Sequence, residues 1–205
     1  MTGKKISKKS DIEYEAMRLF AQNGFAGTTI KEIAKLAKVT EGAIYRHYSS
    51  KEEMALSLFS RELDKIKFRL LDSMDAGENP AARLRAIIKS IYTAYLDDPW
   101  PVLFVILNFQ NLQGNVELDN NQHVYEFIID ATRNLFVCGD DGRDYEFLAT
   151  SVAGLIIQPV IFHSHKKLPK HPVEYIDEVT QSCCRLVGLK HDTPTASRPH
   201  SKLTT

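Results

Sequence analysis

The sequence predicts an all-α protein: a small N-terminal unit of three helices, a long fourth helix, and a larger helical body. Three observations lead there. Apolar residues recur at helical spacing in nearly every segment. Helix starts are marked by Ser or Thr with Glu three residues on, at Ser10–Glu13, Thr29–Glu32 and Ser50–Glu53, a pattern that satisfies two orphan amide groups reciprocally. The run with most strand character, Val102–Leu107, has no comparable second strand to pair with, so it reads as a buried helix.

In order along the chain, residues 1–9, MTGKKISKK, form a basic arm in which Lys8 and Lys9 could lie against phosphate. A plain solubilising tail is the alternative. Residues 10–23 make a first helix whose inward face is Ile12, Ala16, Leu19 and Phe20, ended by Gly24, with Phe25 folding back onto the core. The second helix starts at Thr28-Thr29 and carries Ile30, Ile33 and Ala34, with Val39 plugging the turn after it. The third, Glu41–His47, is capped by Thr40. The fourth runs from Lys51 to about Met74, longer than a small domain needs, and would act as a lever between head and body.

After a break at 75–80, helices are expected at 81–96, 102–113, 123–137, 145–165 and 172–187. Asp97–Pro101 should interrupt the chain, 138–144 should be a turn, and Pro159 should kink its helix or end it a turn early. Residues 190–205 read as a disordered tail. The domains are thus 10–50, a helix-turn-helix unit, and 51–189, the helical body.

Composition narrows the function. The 205 residues are 43% apolar, enough for a substantial core. Net charge is zero, yet residues 1–50 hold nine Lys or Arg against five Asp or Glu. A basic head on an acidic body suits contact with a polyanion at one end. Three cysteines, Cys138, Cys183 and Cys184, give no disulfide framework. No apolar segment follows Met1, and Val102–Leu107, read as the longest greasy stretch, is too short to span a bilayer. A soluble cytoplasmic protein without a membrane partner is expected.

The second and third helices make a compact helix-turn-helix, with the third as candidate recognition helix. Gly42 and Ala43 would let its backbone approach a groove, Tyr45 and His47 could reach phosphates or base edges, and Lys51 would supply charge. Singly, each has a plainer reading: Gly42 permits packing, Tyr45 is core, Lys51 is solvated. Their joint spacing speaks for DNA.

Residues 16–53 resemble the N-terminal DNA-binding domain of the TetR/AcrR family of transcriptional regulators. The resemblance rests on Leu19-Phe20, Gly24-Phe25, Thr28-Thr29, Ile33-Ala34, Val39-Thr40, Gly42, Ile44-Tyr45, His47-Tyr48 and Ser50-Lys51-Glu52. It covers about the first quarter of the chain; the rest matches in length and helical character. The resemblance implies a hydroxyl of Thr28 or Thr29 near a phosphate, Thr40, Gly42, Tyr45 and His47 facing DNA, and Lys51 on backbone phosphate. Lys38 and Ala43 join them as candidates. Lys38 stands where the family's turn usually has glycine, and Asp11 where a basic residue is common. A non-glycine at the turn must accept whatever backbone angles that position needs.

For the body, the resemblance implies a ligand-binding and dimerisation domain. Helices 145–165 and 172–187 show more apolar surface than a hairpin can hide, and a second copy would complete a four-helix bundle. Such a homodimer would present two recognition helices to a palindromic double-stranded DNA operator. The implied mode is repression released by a small-molecule effector, mainly apolar or aromatic. Candidates for its pocket are Trp100, Phe104, Asn108, Phe109, Tyr125, Ile129 and Phe162. The amides of Asn108, Gln110 and Asn111 need partners if buried.

Two alternatives stay open. His163, His165 and His171, with Cys183-Cys184 nearby, could make a metal-responsive regulator, but their spacing matches no strong zinc signature. Surface histidines at a helix end are the plainer account, and no metal or other cofactor is expected. A helical protein-interaction module would use the same helices without reading DNA. An enzyme is not expected, since phosphate loop, nucleophile elbow, HExxH and paired-cysteine motifs are missing from the sequence.

Overall fold

The computed structural model describes residues 8–75, 79–113 and 144–189. These form α1 (Lys8–Asn23), α2 (Ile30–Leu36), α3 (Glu41–Tyr45), α4 (Lys51–Asp75), α5 (Pro80–Asp97), α6 (Pro99–Gln113), α7 (Tyr145–Ser164), a 3-10 turn (Pro172–Tyr175) and α8 (Ile176–Val187). The fold is all-α, as the periodicity requires. The expected 123–137 helix, with Tyr125 and Ile129, and Cys138 lie outside the described residues.

Among the described residues, two groups of buried side chains organise the fold. The first joins Ile12, Ala16 and Phe20 of α1, Ile33 of α2, Ile44 of α3 and Met54, Leu58 and Phe59 of α4. The second joins Leu84, Ile88 and Tyr92 of α5, Val152, Ile156 and Val160 of α7 and Cys183 and Val187 of α8. Helix α6 serves both: Phe104 and Val105 enter the first, Val102 and Leu103 the second. A helix wedged between two cores must be apolar nearly all round, which is why 102–107 resembles a strand in sequence. Phe104 stacks on Phe20 at 5.7 Å and meets Phe59 edge-on at 6.2 Å between ring centroids.

Several boundaries differ from expectation. Helix α1 starts at Lys8, so Ser10 lies inside it and not at a cap. Only Asp98 separates α5 from α6. Pro99 and Pro101 sit in the first turn of α6, where helix amides have no intrahelical acceptor and proline costs nothing. Pro159 neither ends nor shortens α7, which runs on to Ser164. Tyr92 donates from its buried hydroxyl to Ile156 O at 2.9 Å, tying α5 to α7 just upstream of the proline.

Helix α7 also overturns the reading that Val102–Leu107 is the longest apolar stretch. It is long and apolar enough to cross a membrane by length and composition, yet only 28% of its apolar window is buried within the chain. Phe147, Leu155 and Phe162 stand exposed along it, beside Leu186 of α8.

Candidate nucleic-acid interface

The local chemistry of the head sets the angle and exposure of α3. Gly24 ends α1 with φ +72°, its amide donating to Phe20 O at 3.1 Å. At Gly27 an added Cβ would lie 2.4 Å from Asn23 O, so only glycine passes there. Thr29 then caps α2: its Oγ1 accepts from Glu32 N at 3.2 Å while Glu32 Oε2 accepts from Thr29 N at 3.0 Å. Lys38, in the turn, takes φ +54°, the left-handed region that its family-typical glycine would enter without strain. Thr40 caps α3 by accepting from Ala43 N at 3.2 Å. At the start of α4, Glu53 N donates to Ser50 Oγ at 3.1 Å, but the reciprocal bond goes from Ser49 N to Glu53 Oε2.

Helix α3 buries one residue, Ile44, in the head core. Thr40, Gly42 and His47 are exposed, Tyr45 is 51% exposed, and Ala43 is half-buried. A Cβ on Gly42 would meet nothing nearer than Thr40 Oγ1 at 4.0 Å. Packing therefore does not account for this glycine, nor does the core account for Tyr45. Arg46, exposed at the C-cap, went unremarked in the sequence; its place between two candidate residues was the available signal.

Other candidates are engaged elsewhere. Thr28 is fully buried, and its hydroxyl donates to Gly24 O at 2.9 Å. Thr29 is exposed, with its hydroxyl donating to Glu32 at 2.8 Å. The Lys51 ammonium donates to Phe25 O at 3.0 Å and Thr28 O at 2.9 Å, and lies 4.3 Å from the Phe25 ring centroid. It locks the α1–α2 turn to the start of α4 and keeps one donor spare. Lys8 is exposed at the first residue of α1. Lys9 lies 3.8 Å from Glu13 Oε1 and 5.8 Å from the Tyr48 ring.

A network that sequence reasoning missed holds α3 from behind. Tyr48, buried just past α3, donates to Glu13 Oε1 at 2.6 Å, and Arg61 of α4 donates to Glu13 Oε2 at 2.8 Å. Burial pushes the Glu13 carboxyl up, but these two hydrogen bonds, with the charges of Arg61 and Lys9, outweigh it and hold it below the usual range. Burial and the same carboxylate raise the Tyr48 phenol. Arg61 reaches on to the buried Glu62 at 3.2 Å, which also pairs with Lys65. Side chains from α1, α4 and the end of α3 are thus bonded to one carboxylate.

The model of the tetR family of bacterial regulatory proteins matches residues 15–58, the span just described. The HTH-type transcriptional regulator YuxN of Bacillus subtilis is 35% identical over 196 residues, 91% of this chain and 66% of YuxN. The chain belongs to the TetR family. It is also 32% identical to the HTH-type transcriptional repressor KstR2 of Mycobacterium tuberculosis over 94 residues, 46% of this chain and 47% of that one. The chain thus spans less than two thirds of the length of these two relatives. The solved KstR2 structure superposes with TM-score 0.70 at 22% identity, covering 93% of this chain and 99% of that one. FadR of Bacillus subtilis, solved in complex with stearoyl-CoA, superposes with TM-score 0.66 at 19% identity, covering 89% and 100%. The shared fold is the TetR-family arrangement of helix-turn-helix head, connecting helix and helical body.

In this TetR-family body the described effector candidates, Trp100, Phe104, Asn108 and Phe162, do not line one pocket. Phe104 is core, as above. Asn108 is 1% exposed, and its Nδ2 donates to Phe104 O at 3.0 Å and Phe20 O at 3.3 Å, tying α6 to α1. Both donors of this amide are thus directed at backbone carbonyls. Trp100 lines a cleft of about 780 Å³ at the junction of α1, α6 and the end of α7. Phe162, 47% exposed, lies instead on the outer α7–α8 face, along a shallow groove with Gly154, Leu155 and Leu186. The side chain of Phe109 is outside those described.

The histidines are not the solvated group expected. His163 and His171 are half-buried with ring centroids 4.8 Å apart, and Tyr95 of α5 packs against both, its hydroxyl 3.0 Å from His163 Nδ1. The 3-10 turn causes this: His171 caps it, accepting from Val173 N at Nδ1. Both Nδ1 atoms are therefore occupied. His165 is exposed, and Cys183 and Cys184 are buried in the body core. Among the described residues no three His, Cys, Asp or Glu side chains are grouped to hold a metal ion.

Proposed function

We propose that the chain is a dimeric, sequence-specific DNA-binding regulator, a repressor that a small and mainly apolar ligand releases from a palindromic operator. The observation that carries the reading is the outer face of α3. Thr40, Gly42, Tyr45 and His47 are exposed on a helix whose single buried residue anchors it, and the fold gives neither Gly42 nor Tyr45 a structural task. A short helix held from behind and bare in front is what entry into a major groove requires. Lys8, Lys31 and Arg46, all exposed, would add phosphate contacts around it.

The exposed apolar side of α7 supports a homodimer through α7 and α8, since paired copies would bury it in a four-helix bundle. FadR's stearoyl-CoA complex suggests an acyl thioester as effector class. The place of action is the cytoplasm, with the chromosome.

Selection from a random duplex pool, followed by binding of the winning site at several salt concentrations, tests the reading. A palindrome bound by two chains, with affinity falling steeply with salt, is the expected result. Gly42→Ala should keep or raise the melting temperature, because alanine favours helix by about 0.5–1 kcal/mol, yet weaken binding. Tyr45→Ala should cost about 1–3 kcal/mol of operator affinity with folding intact. Unchanged affinity in both variants would remove α3 from the interface.

A further inference from the structure

The cleft beside Trp100 has a chemical character of its own. The head contributes Gln22 and Asn23 from the end of α1, and the body contributes Trp100 from α6 and His163, His165 and Lys166 from the end of α7. The lining thus combines apolar and aromatic side chains with two imidazoles and one ammonium group. No Asp or Glu is among the described lining residues. Asp98 Oδ1, at the α5–α6 junction, accepts from Trp100 N at 3.2 Å, and Glu174 Oε1 accepts from His171 N at 3.2 Å.

Two further observations point to a ligand. Burial raises the Tyr95 phenol above its ordinary range, so it keeps its proton. When that proton is donated to His163 Nδ1 at 3.0 Å, the ring proton of neutral His163 sits on Nε2, which becomes a donor. His171, stacked on Tyr95 at 5.2 Å, braces the pair. Secondly, Lys166 holds φ +57°, with its amide bonded to His163 O at 2.9 Å and the next amide to Phe162 O at 2.8 Å. This is the helix-ending geometry that glycine adopts freely. A lysine kept in such a conformation at the mouth of a cleft suits a functional task better than a structural one.

We propose that this cleft binds a ligand bearing a carboxylate or phosphate on an apolar body, with the anion held by Lys166, His163 and His165 and the apolar part against Trp100. Its walls come from α1 and α7, so an occupant discriminates between arrangements of head and body and thereby shifts them. That consequence rests on the regulator reading; the binding itself does not.

Trp100 is the sole tryptophan of the chain, so its emission reports the site directly. The full chain is titrated with decanoate, decanoyl-CoA and 1-decanol. A saturable change is expected with at least one anion at tenfold or lower concentration than with the alcohol, and the tighter anion identifies the source as carboxylate or phosphate. Lys166→Gly should weaken that binding about tenfold while the melting temperature holds or rises. Lys166→Gln and His163→Gln should weaken it as well. Equal potency of decanol, no emission change with any probe, or full affinity in the lysine and histidine variants would each overturn the proposal. The titration contains no DNA, so its failure leaves the operator reading standing, and failed operator selection leaves the cleft standing.

Discussion

Helices α3 and α7 each leave on the surface something the single chain does not use, and they do so in opposite ways. Helix α3 spans Glu41–Tyr45 and presents small and polar groups around one buried isoleucine. Helix α7 spans Tyr145–Ser164 and presents Phe147, Leu155 and Phe162, of which Phe147 is 64% exposed. The first surface can wait in water at little cost; the second cannot. A polar surface held rigidly from behind suits a hydrated, charged partner such as duplex DNA, whereas an apolar one of this length suits permanent burial against its own copy. Exposure alone therefore says little until the chemistry of the exposed atoms is weighed.

The sharpest way to break this contrast is to remove the anchor of α3. Ile44→Ala deletes a fully buried side chain and should cost about 3 kcal/mol, read as a lowered melting temperature with operator binding lost alongside. If the head stays folded and binding persists, α3 is not held as described. Next comes the apolar face: Leu155→Glu with Phe162→Glu, both exposed in the chain, should leave the helical content intact while sedimentation shows a monomer. Operator affinity should then fall at least a hundredfold, about 2.7 kcal/mol. A dimer that survives both charges would place the interface elsewhere.

Smaller effects sharpen the account of the head. Lys38→Gly should relieve the left-handed angle at φ +54° and raise stability by about 1 kcal/mol, measurable in urea. Glu13→Gln should lower stability by about 1 kcal/mol near neutral pH through loss of a charge-assisted bond to Arg61. The sign with pH follows from the depressed carboxyl. The advantage of Glu13 is fully present above the ordinary carboxylate value, about 4.3, and disappears as pH falls through its own lower value in the folded chain. Melting curves of the two proteins should converge in acid; a gap that widens would reverse the assigned shift.

What the sequence determined by itself was the local structure, because its causes are local. Thr29 and Glu32 cap α2 as their spacing requires, Thr40 caps α3, Gly24 ends α1, and the backbone demand on Lys38 was visible where a glycine was missing. The all-α class followed from periodicity in the same way. Direction and pairing across the fold were decided only by tertiary structure. Thr28 and Thr29 are neighbours of one type, yet one is buried and bonded to Gly24 O while the other is exposed. Lys51 reads as a surface cation until its ammonium meets carbonyls 23 and 26 residues away in sequence. The Glu13–Tyr48–Arg61 network spans up to 48 residues and leaves no periodic trace. His163 and His171 meet only because a capped turn folds one back on the other. Caps and turns act within a few residues, where sequence order is spatial order; burial, ion pairs and clefts depend on which helix lies opposite, and that is set by how the whole set of apolar faces can be closed at once.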